Sequence, residues 1–170
     1  LSGKCWASFP GVKLSIRNEK GDLLGPGEIG ELYVSSPFTF RQYIRKEQTD
    51  EVITAYGLSI GDLAYINEDH YLFIVGRKKN MLISGGRNVY PEEIEKVLLT
   101  HPSVKELAVV GIPHPYWGEK IVAFLSWKAG YEASLKSIRN YSRKHLANYK
   151  RPQQWVVVDS FPYTATGKID

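Results

Sequence analysis

Three short stretches hold side chains able to do chemistry. Gly61-Asp62 interrupts the apolar, β-rich run 58–66, where an acid is unusual. Gly76-Arg77-Lys78-Lys79 gathers cations in a segment with no apolar anchor. Thr164-Ala165-Thr166-Gly167-Lys168 carries one cation among hydroxyls in a loop-forming stretch. Taken one at a time, each has a plainer reading: a surface carboxylate on a strand's polar face, a solvated basic linker, and an exposed lysine.

The other reactive residues do not assemble into a site. His70, His101, His114 and His145 lack metal-ligand spacing, and each reads as a solvated loop or cap residue. Cys5 reads as an inert thiol, since nothing near it would lower its pKa. The sequence contains no G-x-x-x-x-G-K-[ST], G-x-S-x-G or H-E-x-x-H pattern. A dinucleotide G-x-G-x-x-G in a strand-to-helix context is absent too, and no metal ligands are expected.

The elements that must position these groups can be read from periodicity. Residues 12–17 alternate apolar and polar as a half-buried strand does, residues 29–34 form a second strand, and turns fall at 18–22 and 25–27. Residues 40–55 read as a helical excursion. Residues 58–66 and 71–75, joined by Asn67-Glu68-Asp69-His70, carry a hairpin signature. Arg77 to Asn80 reads as a linker, and Met81 to Ser84 as a short strand broken by Gly85-Gly86. Residues 91–99 are a helix: Pro91 suits its first turn, acids sit at its positive end, and Ile94, Val97 and Leu98 share a face. Strands follow at 104–112 and 120–128 around an insertion at 114–118. A second helix spans 133–147 with Leu135, Ile138, Tyr141 and Leu146 inward, and a last strand covers 154–158 before an extended tail. The expected fold is α+β: a β-rich part over 1–75, then a small mobile α+β domain over 76–170.

Composition narrows the class further. Hydrophobic residues are 43% of the chain and charged residues 24%, which fits a packed globular protein and argues against wholesale disorder. A single cysteine excludes an intrachain disulfide and a thiolate zinc cluster and fits a reducing cytosol, so the expected location is cytoplasmic. No apolar run approaches the ~18 residues that would read as a membrane span. The chain opens at Leu1 without a signal segment, which reads as a piece of something longer. The net charge of +4 divides unevenly: −3 over residues 1–75 and +7 over 76–170. A basic half suits an anionic partner such as nucleic acid, a phosphorylated small molecule or an acidic membrane.

The three stretches, taken in order, resemble the adenylate-forming superfamily: acyl- and aryl-CoA synthetases, firefly luciferase and nonribosomal peptide synthetase adenylation domains. The resemblance rests on Ile60-Gly61-Asp62, on the block from Gly76 through Ser84-Gly85-Gly86-Arg87-Asn88-Val89-Tyr90-Pro91 to Glu95, and on Pro162 to Lys168. Flanking pieces, Pro26 to Leu32 and Trp117-Gly118-Glu119, also fit. It covers nearly the whole chain but only the C-terminal third of such an enzyme. The Ser/Thr/Gly/Lys-rich phosphate loop, the acid pocket and most of the nucleotide pocket are not in it.

The resemblance implies activation of a carboxylic acid by ATP to an acyl-adenylate, then transfer to a thiol. ATP, Mg2+ and coenzyme A are thus implied, with a fatty or other hydrophobic acid as substrate. Asp62 matches the carboxylate that accepts hydrogen bonds from the ribose hydroxyls, and two acceptor oxygens suit a vicinal diol. Arg77 matches an arginine at the ribose or phosphate side of the nucleotide. Lys168 matches the lysine that reaches the α-phosphate and the substrate carboxylate during adenylation. Lys79 aligns with the hinge residue on which the small domain pivots, the hinge covering 77–80. Gly86 aligns with a glycine lining the pantetheine tunnel, where a Cβ would narrow the passage. Ile60 stands where the family often has Thr. The end of the chain two residues past Lys168 leads to the expectation of a disordered loop, and the 170-residue piece alone is expected to be inactive. Two other readings differ in their partners: an amino-acid or aryl-acid adenylation domain that loads a carrier protein, and a non-catalytic basic module for nucleic acid. The second accounts for the +7 half but not for the paired motifs, so no nucleic acid is expected.

Overall fold

The computed structural model describes residues 10–38, 52–131 and 134–169. Cys5 and most of the expected 40–55 helix lie outside them. The chain divides into two compact units, Leu1–Lys79 and Asn80–Asp170.

The first unit is an antiparallel sheet of five strands: β1 (Lys13–Arg17), β2 (Gly30–Ser35), β3 (Ile53–Thr54), β4 (Gly57–Ile66) and β5 (Leu72–Arg77). Its path runs β1-β2-β4-β3, with β5 also pairing β4. The β3 strand corrects the helical reading at its described end, because Ile53 and Thr54 pair with Leu58 and Gly57 across a tight turn. Alternation along β1, β2 and β4 turns Ile16, Leu32 and Ala64 into one small core with Leu72. Asn18 closes the β1 turn, its side-chain oxygen accepting from the backbone of Lys20 and Asp22 at 2.9 Å each. His70 takes a positive φ of 62° in the turn before β5.

The 77–80 stretch, read as a linker, contains the division between the two units but has regular backbone structure. Arg77 is the last residue of β5, and Lys78–Asn80 form a 3-10 turn.

The second unit is a mixed sheet with two helices. Strands β6 (Leu82–Ser84) and β7 (Arg87–Val89) form a hairpin, so Gly85-Gly86 do not end a lone strand but turn it back on itself. Both glycines have positive φ, 58° and 72°, as a two-residue hairpin turn requires. Helix α1 (Pro91–Leu98) leads to the long hairpin of β8 (Val104–His114) and β9 (Gly118–Trp127). Helix α2 (Leu135–His145) then carries the chain across so that β10 (Gln154–Val157) runs parallel to β9, which a tight turn could not achieve. Ser134 caps α2, accepting from the Ser137 amide.

Ile94 and Leu98 of α1 and Ile138 of α2 are fully buried with Val109, Ile121, Ala123 and Leu125 of the sheet. Each such aliphatic side chain contributes about 1.5–3 kcal/mol on burial, so this cluster holds the second unit together. Glu95 of α1 reaches into the same layer, and its Oε1 accepts the Val109 amide at 2.7 Å. Burial raises the Glu95 carboxyl above the usual carboxylate range despite that bond. The fold is thus α+β, as the sequence implied.

Candidate functional site

Asp62 and Arg77 are brought together by strand register. The two residues face each other across the β4–β5 pair, and Arg77 Nε lies 2.8 Å from Asp62 Oδ1. Arg77 Nη1 also donates to the Ile60 carbonyl at 3.0 Å. Gly61 has a φ of 73°, and the register of β4 against β5 shifts between Leu63 and Ala64. A side chain at Gly61 would meet nothing within 4 Å, so its requirement is conformational. The Asp62 side chain keeps 18% exposure, and that of Arg77 keeps 55%. The acid is therefore paired with a cation and keeps a minor part of its surface in solvent rather than being sealed among apolar neighbours.

A second ion pair, which sequence reasoning assigned no role, lies one residue further on. Lys78 Nζ contacts Glu31 Oε2 at 2.7 Å, and Ser59 Oγ donates to Glu31 Oε1 at 2.5 Å. Burial pushes the Glu31 carboxyl up, but hydrogen bonds from Lys78 and Ser59 outweigh it and hold the group below its ordinary value. The Glu31 hydrogen bond in turn raises the Lys78 ammonium. The signal for Glu31 was its place in the Pro26-to-Leu32 piece, but only the β2–β4 pairing reveals which residue it meets.

Lys79 stands between two anchored neighbours. Lys78 is tied to Glu31 within the first unit, and Asn80 Nδ2 donates to Glu92 Oε1 at 2.8 Å within the second. The Lys79 side chain is exposed and makes no hydrogen bond or ion pair with a described residue. It is the last residue of the first unit.

Gly86 sits in the β6–β7 turn, where a Cβ would also meet nothing within 4 Å inside its own unit. Glu119 pins that hairpin to β9, accepting the Ile83 amide at 2.6 Å, and the Gly85 amide donates to the Trp117 carbonyl. Beside the turn lies a cleft of about 310 Å³ lined by Ser84, Gly85, Arg87, Trp117, Asn148, Tyr149 and Gln153. The Arg87 guanidinium stands 4.8 Å from the Tyr149 ring centre, a cation–π arrangement.

Lys168 lies in a turn whose ends are bridged, where the sequence led to the expectation of a disordered loop. Tyr163 bridges Ile169, the Thr164 amide donates to the Lys168 carbonyl at 2.8 Å, and the Lys168 amide donates back to Thr164 Oγ1 at 3.2 Å. The Lys168 side chain is exposed. Lys168 and Gly86 thus belong to the second unit, and Asp62 and Arg77 to the first.

His101 is buried, which corrects its reading as a solvated residue. Its Nδ1 accepts the Ser103 amide at 3.3 Å, and Nε2 lies 3.1 Å from Ser137 Oγ on α2. Burial lowers its pKa. A group whose folded value is depressed stabilises the fold fully above the free imidazole's ~6.5 and loses that contribution as pH falls through the folded value. The melting temperature is therefore expected to drop between pH 7 and pH 5 by more in the wild type than in His101→Gln. Thermal unfolding monitored at both pH values checks this.

Among the described residues no group of three His, Cys, Asp or Glu is placed to hold a metal. No helix of the described residues is long and apolar enough to cross a membrane.

The model of the AMP-binding enzyme C-terminal domain matches residues 93–168. The chain is 42% identical over 161 residues to the uncharacterized acyl-CoA ligase YhfT of Bacillus subtilis, covering 95% of this chain and 32% of that protein. It is 36% identical over 169 residues to a long-chain-fatty-acid–CoA ligase of the same organism, covering 98% of this chain and 30% of that one. The o-succinylbenzoate CoA synthetase MenE of Bacillus subtilis, solved with its acyl-adenylate intermediate, superposes with a TM-score of 0.91. Identity there is 31%, over 98% of this chain and 34% of that one. The chain spans about a third of the length of the curated relatives it matches. It belongs to the adenylate-forming superfamily, whose C-terminal domain it carries.

Proposed function

We propose that this chain is the nucleotide-gripping sheet and the mobile small domain (hinge at 77–80) of an ATP-dependent fatty acyl-CoA ligase. The observation that carries the reading is the Asp62–Arg77 pair, a partly exposed carboxylate fixed by strand register in the segment just before the division between the two units.

In this reading Asp62 accepts the ribose hydroxyls of ATP. Arg77 steers the carboxylate and adds positive charge on the nucleotide's phosphate side. The acid's carboxylate attacks the α-phosphorus, forming the acyl–phosphate bond and releasing pyrophosphate. Lys168 offsets the negative charge that builds at that centre. The small domain then turns about Lys79, withdrawing Lys168 and presenting the Gly86 turn to the thiol arm of coenzyme A. Thiol attack on the acyl carbon forms the thioester and releases AMP. Mg2+, when bound with ATP, would offset negative charge on the nucleotide's phosphates. The single cysteine supports a cytoplasmic location for such an enzyme.

The full-length protein should catalyse fatty-acid-dependent exchange of labelled pyrophosphate into ATP, then form a thioester when coenzyme A is added. The isolated 170-residue chain should do neither. Absence of acid-dependent exchange across fatty, aryl and amino acids would remove the reading. Thioester formation only on a holo-carrier protein would replace coenzyme A as the acceptor.

Lys79→Pro tests the hinge. Proline fixes φ and restricts the residue before it, so the turn is held in one conformation. One half-reaction should fall at least tenfold more than the other in single-turnover measurements, whereas equal losses would count against a pivot at this residue.

A further inference from the structure

A side-chain contact that the roles above do not use joins the exposed Lys168 hairpin to the sheet of its own unit, two residues after the buried Phe161. The Tyr163 hydroxyl donates to the Glu106 carboxylate. Glu106 lies on β8, where Ser126 Oγ of β9 donates to its Oε2 at 3.3 Å and Lys105 Nζ lies 3.4 Å from that same oxygen. Glu106 is thus fixed by the sheet. Tyr163 is the first residue of the hairpin, bridged to Ile169 and separated from Lys168 by a turn closed by the Gly167 amide on the Thr164 carbonyl at 2.9 Å. A chain of contacts therefore runs from β9 through Glu106 and Tyr163 to the backbone of Lys168.

We propose that Tyr163 and Glu106 are positioning residues that hold the Lys168 loop in place for the adenylation step. The inference rests on the reading of Lys168 as the adenylation lysine. A long, exposed lysine on an untethered segment would sample many positions. Tethering the base of its hairpin removes most of that freedom before the small domain swings in, and small misplacements of a catalytic group are costly. The tether holds within one unit, so it travels with the small domain and adds no barrier to the swing.

The test uses the full-length enzyme with Tyr163→Phe, Glu106→Ala and the double variant. Each single change should lower the single-turnover rate of adenylation by about tenfold, with the KM for ATP unchanged, because a mispositioned catalytic group shows in kcat. Thioester formation from supplied acyl-adenylate should stay at the wild-type rate. The double variant should lose no more than either single one, since both break the same contact. Amide exchange of residues 164–168 is measured alongside, and it should quicken in all three variants while the β8–β9 amides stay protected. Unchanged exchange at 164–168 overturns the tether. Faster exchange with undiminished adenylation, in an enzyme that Lys168→Ala still disables, overturns the positioning role. If Lys168→Ala itself leaves adenylation intact, the reading of Lys168 fails, and loop exchange still decides the tether by itself.

Discussion

In the full-length enzyme, Lys168→Ala should lower the rate of acyl-adenylate formation by ~10²–10³-fold while leaving thioester formation from supplied acyl-adenylate near its wild-type rate. The magnitude is that of one charge-stabilising donor removed from a developing anion. The asymmetry between half-reactions carries more information than the size of the loss. A lysine that contributed only to folding or solubility would depress both steps together, and one on an exposed hairpin has little folding role to lose. Rapid-quench measurement of each half-reaction separates these outcomes. Equal loss in both steps would remove the role assigned to Lys168.

Asp62→Ala should raise the KM for ATP by roughly 10–100-fold, the equivalent of one or two charge-assisted hydrogen bonds lost to the ribose. The turnover number should change far less, because the sugar is held alike in ground and transition states. Folding offers a competing explanation, since the substitution also removes the partner of Arg77. An ion pair whose arginine is 55% exposed to screening solvent contributes about 1 kcal/mol, too little to account for the predicted change in affinity. Asp62→Asn keeps one acceptor oxygen and should fall between wild type and alanine. An unchanged KM for ATP in Asp62→Ala, with the fold intact by thermal unfolding, would contradict the assignment.

Much of the scaffold follows from local pattern. Alternation marked β1, the hairpin signature marked β4 and β5, and the Pro91 start with its acidic first turn marked α1. The residues that sequence reading misjudged are those whose environment depends on partners distant in the chain. His101 reads as a loop histidine until α2 folds back and brings Ser137 to its ring, 36 positions away. Lys78 reads as a solvated cation until the β2–β4 pairing puts Glu31 beside it, 47 positions away. Lys168 reads as sitting in a loose tail until Tyr163 meets Glu106, 57 positions away. The Ile53–Thr54 strand fails for a different reason, since two residues carry too little periodicity to announce a strand. Of the candidate site, the Asp62–Arg77 contact needed only the hairpin between them, which turn chemistry at 67–70 made legible.

The proposed swing of the small domain can be measured directly by the distance between spin labels at Glu68 and Lys136, one on each unit, in full-length enzyme with Cys5 and every other cysteine of the full-length chain replaced by serine. One dominant distance is expected with ATP and the acid, and a second, displaced by many ångströms, with acyl-adenylate and coenzyme A. A single distribution that stays the same under both conditions would contradict it.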